Sequence, residues 1–150
     1  MNNVRGYLAK FLVARAVGAV GTRIEWDAYD VLAPDGSRIE VKSSAYLLVW
    51  EQRSLSRIVF TGLRRRAWNT EGIAADATYN ADVYVFCVQT ATTHDADDPL
   101  DVDQWRSYVL SRQSVEATGY TSLSLPTIEA LTAAVPYEDL AEKIAAASAV

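Results

Sequence analysis

A single cysteine, Cys87, stands in a chain of 150 residues. No internal disulfide can form, and a cysteine-rich zinc site is excluded. The one histidine, His94, sits among aspartates without a second histidine, so zinc lacks ligands and a surface histidine is expected. Long hydrophobic runs are missing too. The longest near the start, residues 11–20, is interrupted by Arg15 and falls short of the ~20 residues a membrane helix needs. That charge, with no good cleavage site after it, argues against a secretory signal. The expectation is a soluble cytoplasmic protein with no membrane partner. There is no Walker loop and no G-x-G-x-x-G, so a nucleotide cofactor has no support. Residues 1–24 contain no acid at all.

What is present is the composition of one globular domain, 50% hydrophobic and 22% charged. A chain of this size can bury roughly 68–70% of the surface its unfolded state exposes. With no repeat and no Pro, Ser or Gly tract long enough for a linker, residues 1–150 read as a single domain. The net charge of −5 argues against tight non-specific binding of nucleic acid. Its distribution is two-sided: Glu51–Gly72 holds five arginines against two glutamates, whereas His94–Gln104 holds five aspartates and no cation. The aspartates lack the spacing and glycine of a calcium loop and read as a solvated segment that repels nucleic acid.

Apolar residues Val4, Tyr7, Leu8, Phe11 and Leu12 recur at helical spacing behind Asn2 or Asn3, predicting a first helix that ends near Gly18 or Gly21. An extended run over Ile24–Ala33 then meets the turn Pro34-Asp35-Gly36 and returns as a strand over Arg38–Ser43. Ala45–Arg53 is ambiguous between helix and strand. Further strands are expected at Ile58–Thr61, Asp82–Thr90 and Trp105–Leu110. The second of these is apolar almost throughout, as a strand buried on both faces is. Helical segments follow at Ser111–Gly119, Thr127–Val135 and Tyr137–Ala147. Together they make an α/β or α+β fold, a mixed central sheet flanked by helices.

The chemistry concentrates in the hairpin. With Pro34, Asp35 and Gly36 as the loop, Ala33 pairs with Ser37 and Asp30 falls opposite Glu40, on one face. Lys42 shares that face, while Ile39 and Val41 point to the core. Two opposed carboxylates repel and require compensation, which Mg²⁺ or Mn²⁺ supplies most directly. Lys42 can then orient or deprotonate water, or neutralise charge building on phosphorus. A phosphodiesterase is laid out this way. The plain alternative is a cross-strand ion cluster in which Lys42 only screens two acids.

Apolar-Asp-apolar-apolar, a turn with Asp-Gly, then Ile-Glu-Val-Lys resembles the core motif of the PD-(D/E)XK nuclease superfamily, the restriction-endonuclease-like fold. RIEVKSSAY and ADVYVFC are similar to a bacterial subgroup of predicted nucleases. The resemblance implies a Mg²⁺-dependent (or Mn²⁺-dependent) nuclease that hydrolyses phosphodiester bonds in nucleic acid, with DNA as the expected substrate. It makes Asp30 and Glu40 the metal ligands with the Val41 carbonyl, and Lys42 the third catalytic residue. It leaves a homodimer open, since small enzymes of this kind often cut duplexes as dimers. Many members add a glutamate from the first helix, and here Lys10 stands in its place. Glu25 or Asp27 could help instead, or the chain is a catalytically silent module that binds nucleic acid or a protein partner.

Other residues have two readings each. Arg64, Arg65 and Arg66 read as a phosphate-contacting strip, with Trp68 stacking on an unpaired base, or as a charged surface loop with a half-buried tryptophan. Ser43 and Ser44 read as phosphate donors or as caps of the next element. Cys87, Trp26, Trp50 and Trp105 read as packing residues.

Overall fold

The apolar run near residue 85 becomes the middle of the sheet. The computed structural model describes residues 2–19, 29–47, 53–64, 68–69, 72–73 and 77–150. Its elements in chain order are α1 (Asn2–Val17), β1 (Val31–Leu32), β2 (Arg38–Ala45), β3 (Val59–Phe60), β4 (Trp68–Asn69), β5 (Gly72–Ile73), β6 (Val83–Gln89), β7 (Trp105–Ser111), α2 (Arg112–Thr118), β8 (Leu123–Ser124), α3 (Leu125–Leu131) and α4 (Leu140–Ser148). The main sheet has the order β1-β2-β6-β7, with β2 and β6 parallel and the other pairs antiparallel. The fold is therefore mixed α+β, a mixed sheet between helices.

All seven residues of β6 are buried because the sheet is covered twice. Val83, Val85 and Cys87 pack with Ile39, Val41, Ala9 and Val13 beneath α1 and α4. Tyr84, Phe86 and Val88 pack on the other face with Ile58, Phe60, Leu63, Val115 and Ile128. Phe60 meets Phe86 edge-on with ring centroids 5.1 Å apart, a favoured aromatic geometry. Burial pushes the Cys87 thiol up to about 12, so this cysteine packs and is no nucleophile. Trp105 is buried as well, its Nε1 donating to the Pro99 carbonyl at 2.8 Å.

The turn forms as its residues dictate. Gly36 takes a φ of 89° and donates to the Ala33 carbonyl at 2.9 Å, while Asp35 Oδ1 accepts from the Ser37 N–H at 2.9 Å. Val31 then pairs with Ile39 and Leu32 with Arg38, the expected register. β2 runs two residues beyond Ser43, to Ala45, because β6 pairs with it from Ile39↔Val83 to Ala45↔Gln89. The strand at 58–61 is reduced to Val59–Phe60, held by a pairing with Leu123–Ser124 that no local pattern announces. α2 is capped by Ser111 Oγ, which accepts from the Ser114 N–H, and ends at Gly119 with φ 68°. The helix expected at 127–135 lies at Leu125–Leu131, and the segment after Pro136 starts with a 3-10 turn before α4.

α1 corrects one expectation. Its buried positions are Arg5, Ala9 and Val13, with Leu8 and Leu12 partly covered, whereas Val4, Tyr7 and Phe11 are exposed. The helix is apolar around most of its circumference, so periodicity did not indicate which stripe meets the sheet. The aspartate segment is likewise not wholly solvated: Asp97 Oδ2 lies 2.8 Å from Arg5 Nη2 on α1.

Asp82, just before β6, ties three elements together. Its carboxylate accepts from the Arg38 backbone N–H at 2.9 Å and from the Arg38 guanidinium, and meets Arg112 at 3.5 Å. The Arg38 hydrogen bond holds the Asp82 carboxyl below the usual carboxylate range. A depressed acid contributes stability above its unfolded value near 3.8 that is lost as pH falls through the folded one. Asp82→Asn is expected to cost about 1–3 kcal/mol and to flatten the acid limb of a thermal-denaturation series. An unchanged acid limb would show that the clamp carries no stability.

Candidate active site

Asp30 stands just before β1, beyond the paired part of the hairpin, whose register is Val31↔Ile39 and Leu32↔Arg38, so the direct Asp30–Glu40 pairing expected from the turn is not part of the ladder. The Asp30 N–H donates to the Ile39 carbonyl at 2.8 Å, the residue that pairs with Val31, so the chain steps out of regular pairing there. Its side chain is fully buried. Oδ2 accepts from the Val41 N–H at 2.8 Å, and Oδ1 lies 3.2 Å from Lys10 Nζ. Asp30 thus turns toward the backbone of β2 and not into either apolar cluster.

Glu40 and Lys42 alternate with Ile39 and Val41 along β2 and lie on the face of Tyr84 and Phe86, their register partners. Glu40 Oε1 is 3.5 Å from Lys42 Nζ. The face that carries Glu40 and Lys42 is roofed, and Glu40 is only 3% exposed. The cover includes the loop after β3: a Cβ at Gly62 would come within 3.2 Å of Lys42 Nζ, and Gly62 holds a φ of 69°. Glycine is favoured there by the backbone conformation, and a side chain would press on the amine as well. Nothing local in the sequence signals this.

Burial holds the Lys42 ammonium below the ordinary lysine range. Asp30 pulls it back up, and the charge of Lys10 pushes it further down. The site is therefore two carboxylates and two amines in a partly dehydrated corner. Lys10 enters it from the helix position at which the resemblance implies a glutamate, and its Nζ also lies 5.8 Å from the Tyr7 ring centroid. The acid-free N-terminal helix was the sequence signal for this cation, although its partner was not legible.

The remaining candidates divide. Ser43 and Ser44 follow Lys42 on β2, Ser43 toward α1, where its Oγ lies 3.8 Å from a Cβ placed on Gly6. Arg64 is exposed, with its guanidinium 5.8 Å from the Tyr79 ring. It is not brought to the acids' corner by any contact among the described residues. Arg65, Arg66, Glu25, Asp27, Trp26 and Trp50 lie outside the described residues, and Trp68 opens β4. His94 is exposed. Among the described residues no three of His, Cys, Asp and Glu cluster as a ready metal cage, and no helix is long and apolar enough to cross a membrane.

No curated protein matches the chain. The family model described as bacteriophage T4 endonuclease IV matches residues 1–126. That span holds α1, the hairpin, all four strands of the main sheet and the corner formed by Lys10, Asp30, Glu40 and Lys42. The protein belongs to the bacteriophage T4 endonuclease IV family, a family of nucleases.

Proposed function

We propose that the protein is a metal-dependent nuclease of the PD-(D/E)XK type that hydrolyses phosphodiester bonds in DNA. The observation that carries this reading is the meeting of Asp30, Glu40 and Lys42 at one sheet edge. Family membership supports the endonuclease class and a DNA substrate.

The donor set suits Mg²⁺ or Mn²⁺, hard cations that need one or two carboxylates and take their remaining ligands from water and substrate phosphate. Asp30, Glu40 and the Val41 carbonyl would hold the ion, which would supply Lewis-acid polarisation of the phosphate and a more acidic bound water. Lys42 does the protein's own work. Its depressed proton affinity makes the neutral amine accessible, so Nζ can take a proton from the attacking water. Glu40 keeps that amine in place, and the Val41 N–H fixes the Asp30 carboxylate.

Calorimetric titration with Mn²⁺ tests the reading. Wild type is expected to bind the ion and to cleave DNA only in its presence, and Glu40→Gln to lose both. Undiminished cleavage in chelator, or equal cleavage by the variant, would overturn it.

One observation favours a second reading, a nuclease-like module that binds nucleic acid without cutting it. Lys10 Nζ stands 3.2 Å from Asp30 Oδ1, where its charge already meets the acid that the first reading assigns to the metal. DNA binding without any Mn²⁺ uptake would support this module.

A further inference from the structure

β2 continues three residues past Lys42 and there walls a groove of about 300 Å³, lined by Arg5, Ser43, Ser44, Leu47, Ser56 and Arg57 together with Ala45. No carboxylate belongs to that lining among the described residues. Arg5 is nearly buried and locked: Nη1 donates to the Leu47 carbonyl at 2.6 Å, and Nη2 to Asp97 Oδ2 at 2.8 Å. Arg57 is exposed at the rim.

We propose that this groove is a phosphate subsite, holding the phosphodiester that neighbours the scissile one in the substrate strand. Arg57 is its charged contact, and the hydroxyl of Ser44, on the same face of β2 as Lys42, is its hydrogen-bond donor. The proposal rests on the nuclease reading and says how that site grips its polyanion.

Three features carry it. Guanidinium and hydroxyl groups are the usual partners of phosphate oxygens, and charge-assisted bonds from arginine are the strong ones. The spacing is right, because two residues of strand separate Ser44 from Lys42, about 6.6 Å along β2, comparable to one phosphate step of a polynucleotide. A fixed wall is the third: Arg5, its charge met by Asp97 and its other donor by the Leu47 carbonyl, holds the groove's side in place before any ligand arrives and leaves Arg57, among the described residues, as the free cationic contact. In a chain with a net charge of −5, local cationic contacts such as Arg57 favour the approach of DNA.

Fluorescence anisotropy with short labelled DNA, as single strand and as duplex, measured in chelator so that nothing is cut, tests the subsite on the full chain. Arg57→Gln is expected to raise Kd about five- to tenfold and to lower the salt slope by about one. Ser44→Ala should weaken binding with the slope kept. Lys143→Gln on the exposed side of α4 is the control for net charge. Unchanged affinity and slope in Arg57→Gln, or an equal loss in Lys143→Gln, would overturn the subsite. So would inorganic phosphate binding that depends on Arg57 while DNA binding does not. Because no metal or cleavage enters this assay, a failure of the nuclease reading would appear separately, in the Glu40→Gln titration.

Discussion

Lys42→Met, which keeps the aliphatic stem and removes the amine, is expected to lower DNA cleavage roughly 10²–10⁴-fold, the usual worth of a positioned proton-transfer group. The structure gives the reason for so large an effect. Lys42 Nζ is 3.5 Å from Glu40 Oε1 and lies under the loop at Gly62, so the amine is held at the acids' corner. The variant also strands Glu40, a buried carboxylate, without its lysine partner, and some loss of Tm is expected. Circular dichroism at the assay temperature separates this from loss of fold, and Lys42→Arg, which keeps the charge but does not deprotonate, should be equally inactive. A folded Lys42→Met that cleaves like wild type would remove Lys42 from the chemistry.

The pH dependence has a definite sign. Burial lowers the Lys42 proton affinity from its usual 10.5, so a neutral amine acting as base predicts activity that rises with pH and inflects below 10.5. For stability the same shift works in the same direction. Between the folded and unfolded values the unfolded chain binds more protons at Lys42, so folding is favoured as pH rises through that window.

Lys10→Glu is expected to have the second-largest effect, tightening Mn²⁺ binding by about tenfold, some 1.4 kcal/mol. It exchanges a cation 3.2 Å from Asp30 Oδ1 for a third carboxylate. In chelator the variant should melt below wild type, because three acids then share one dehydrated corner. Added Mn²⁺ should raise its Tm by more than it raises that of wild type, by mass action on the folded state. Lys10→Met separates removal of the positive charge from addition of a ligand. Since Lys10 also depresses Lys42, both variants should move the rising limb of the pH profile to higher pH. Equal Mn²⁺ affinity in all three proteins would show that Lys10 does not guard the site.

Some of this was legible in one dimension and some was not. Pro34-Asp35-Gly36 dictated its own turn, and a period of two carried the register outward from it. For that reason the pairing of Val31 with Ile39 and of Leu32 with Arg38, and the inward aim of Ile39 and Val41, were legible in the sequence, whereas the step of Asp30 out of that register was not. The unbroken apolar stretch around Phe86 announced a strand covered on both sides. α1 was visible as a helix, but not its orientation, because Val4, Tyr7 and Phe11 are as apolar as the residues that face the core. The pairing of Val59–Phe60 with Leu123–Ser124 joins segments more than sixty residues apart, and neither is long enough to show a pattern.

The hairpin was thus determined by local chemistry: turn preferences and side-chain alternation act between near neighbours and survive in the bare sequence. Tertiary structure alone decided that Lys10 would reach Asp30, that Gly62 would press on Lys42, and that Glu40 would be roofed over. Those outcomes depend on how distant segments pack, and packing responds to the shape of the whole chain and not to any short stretch of it.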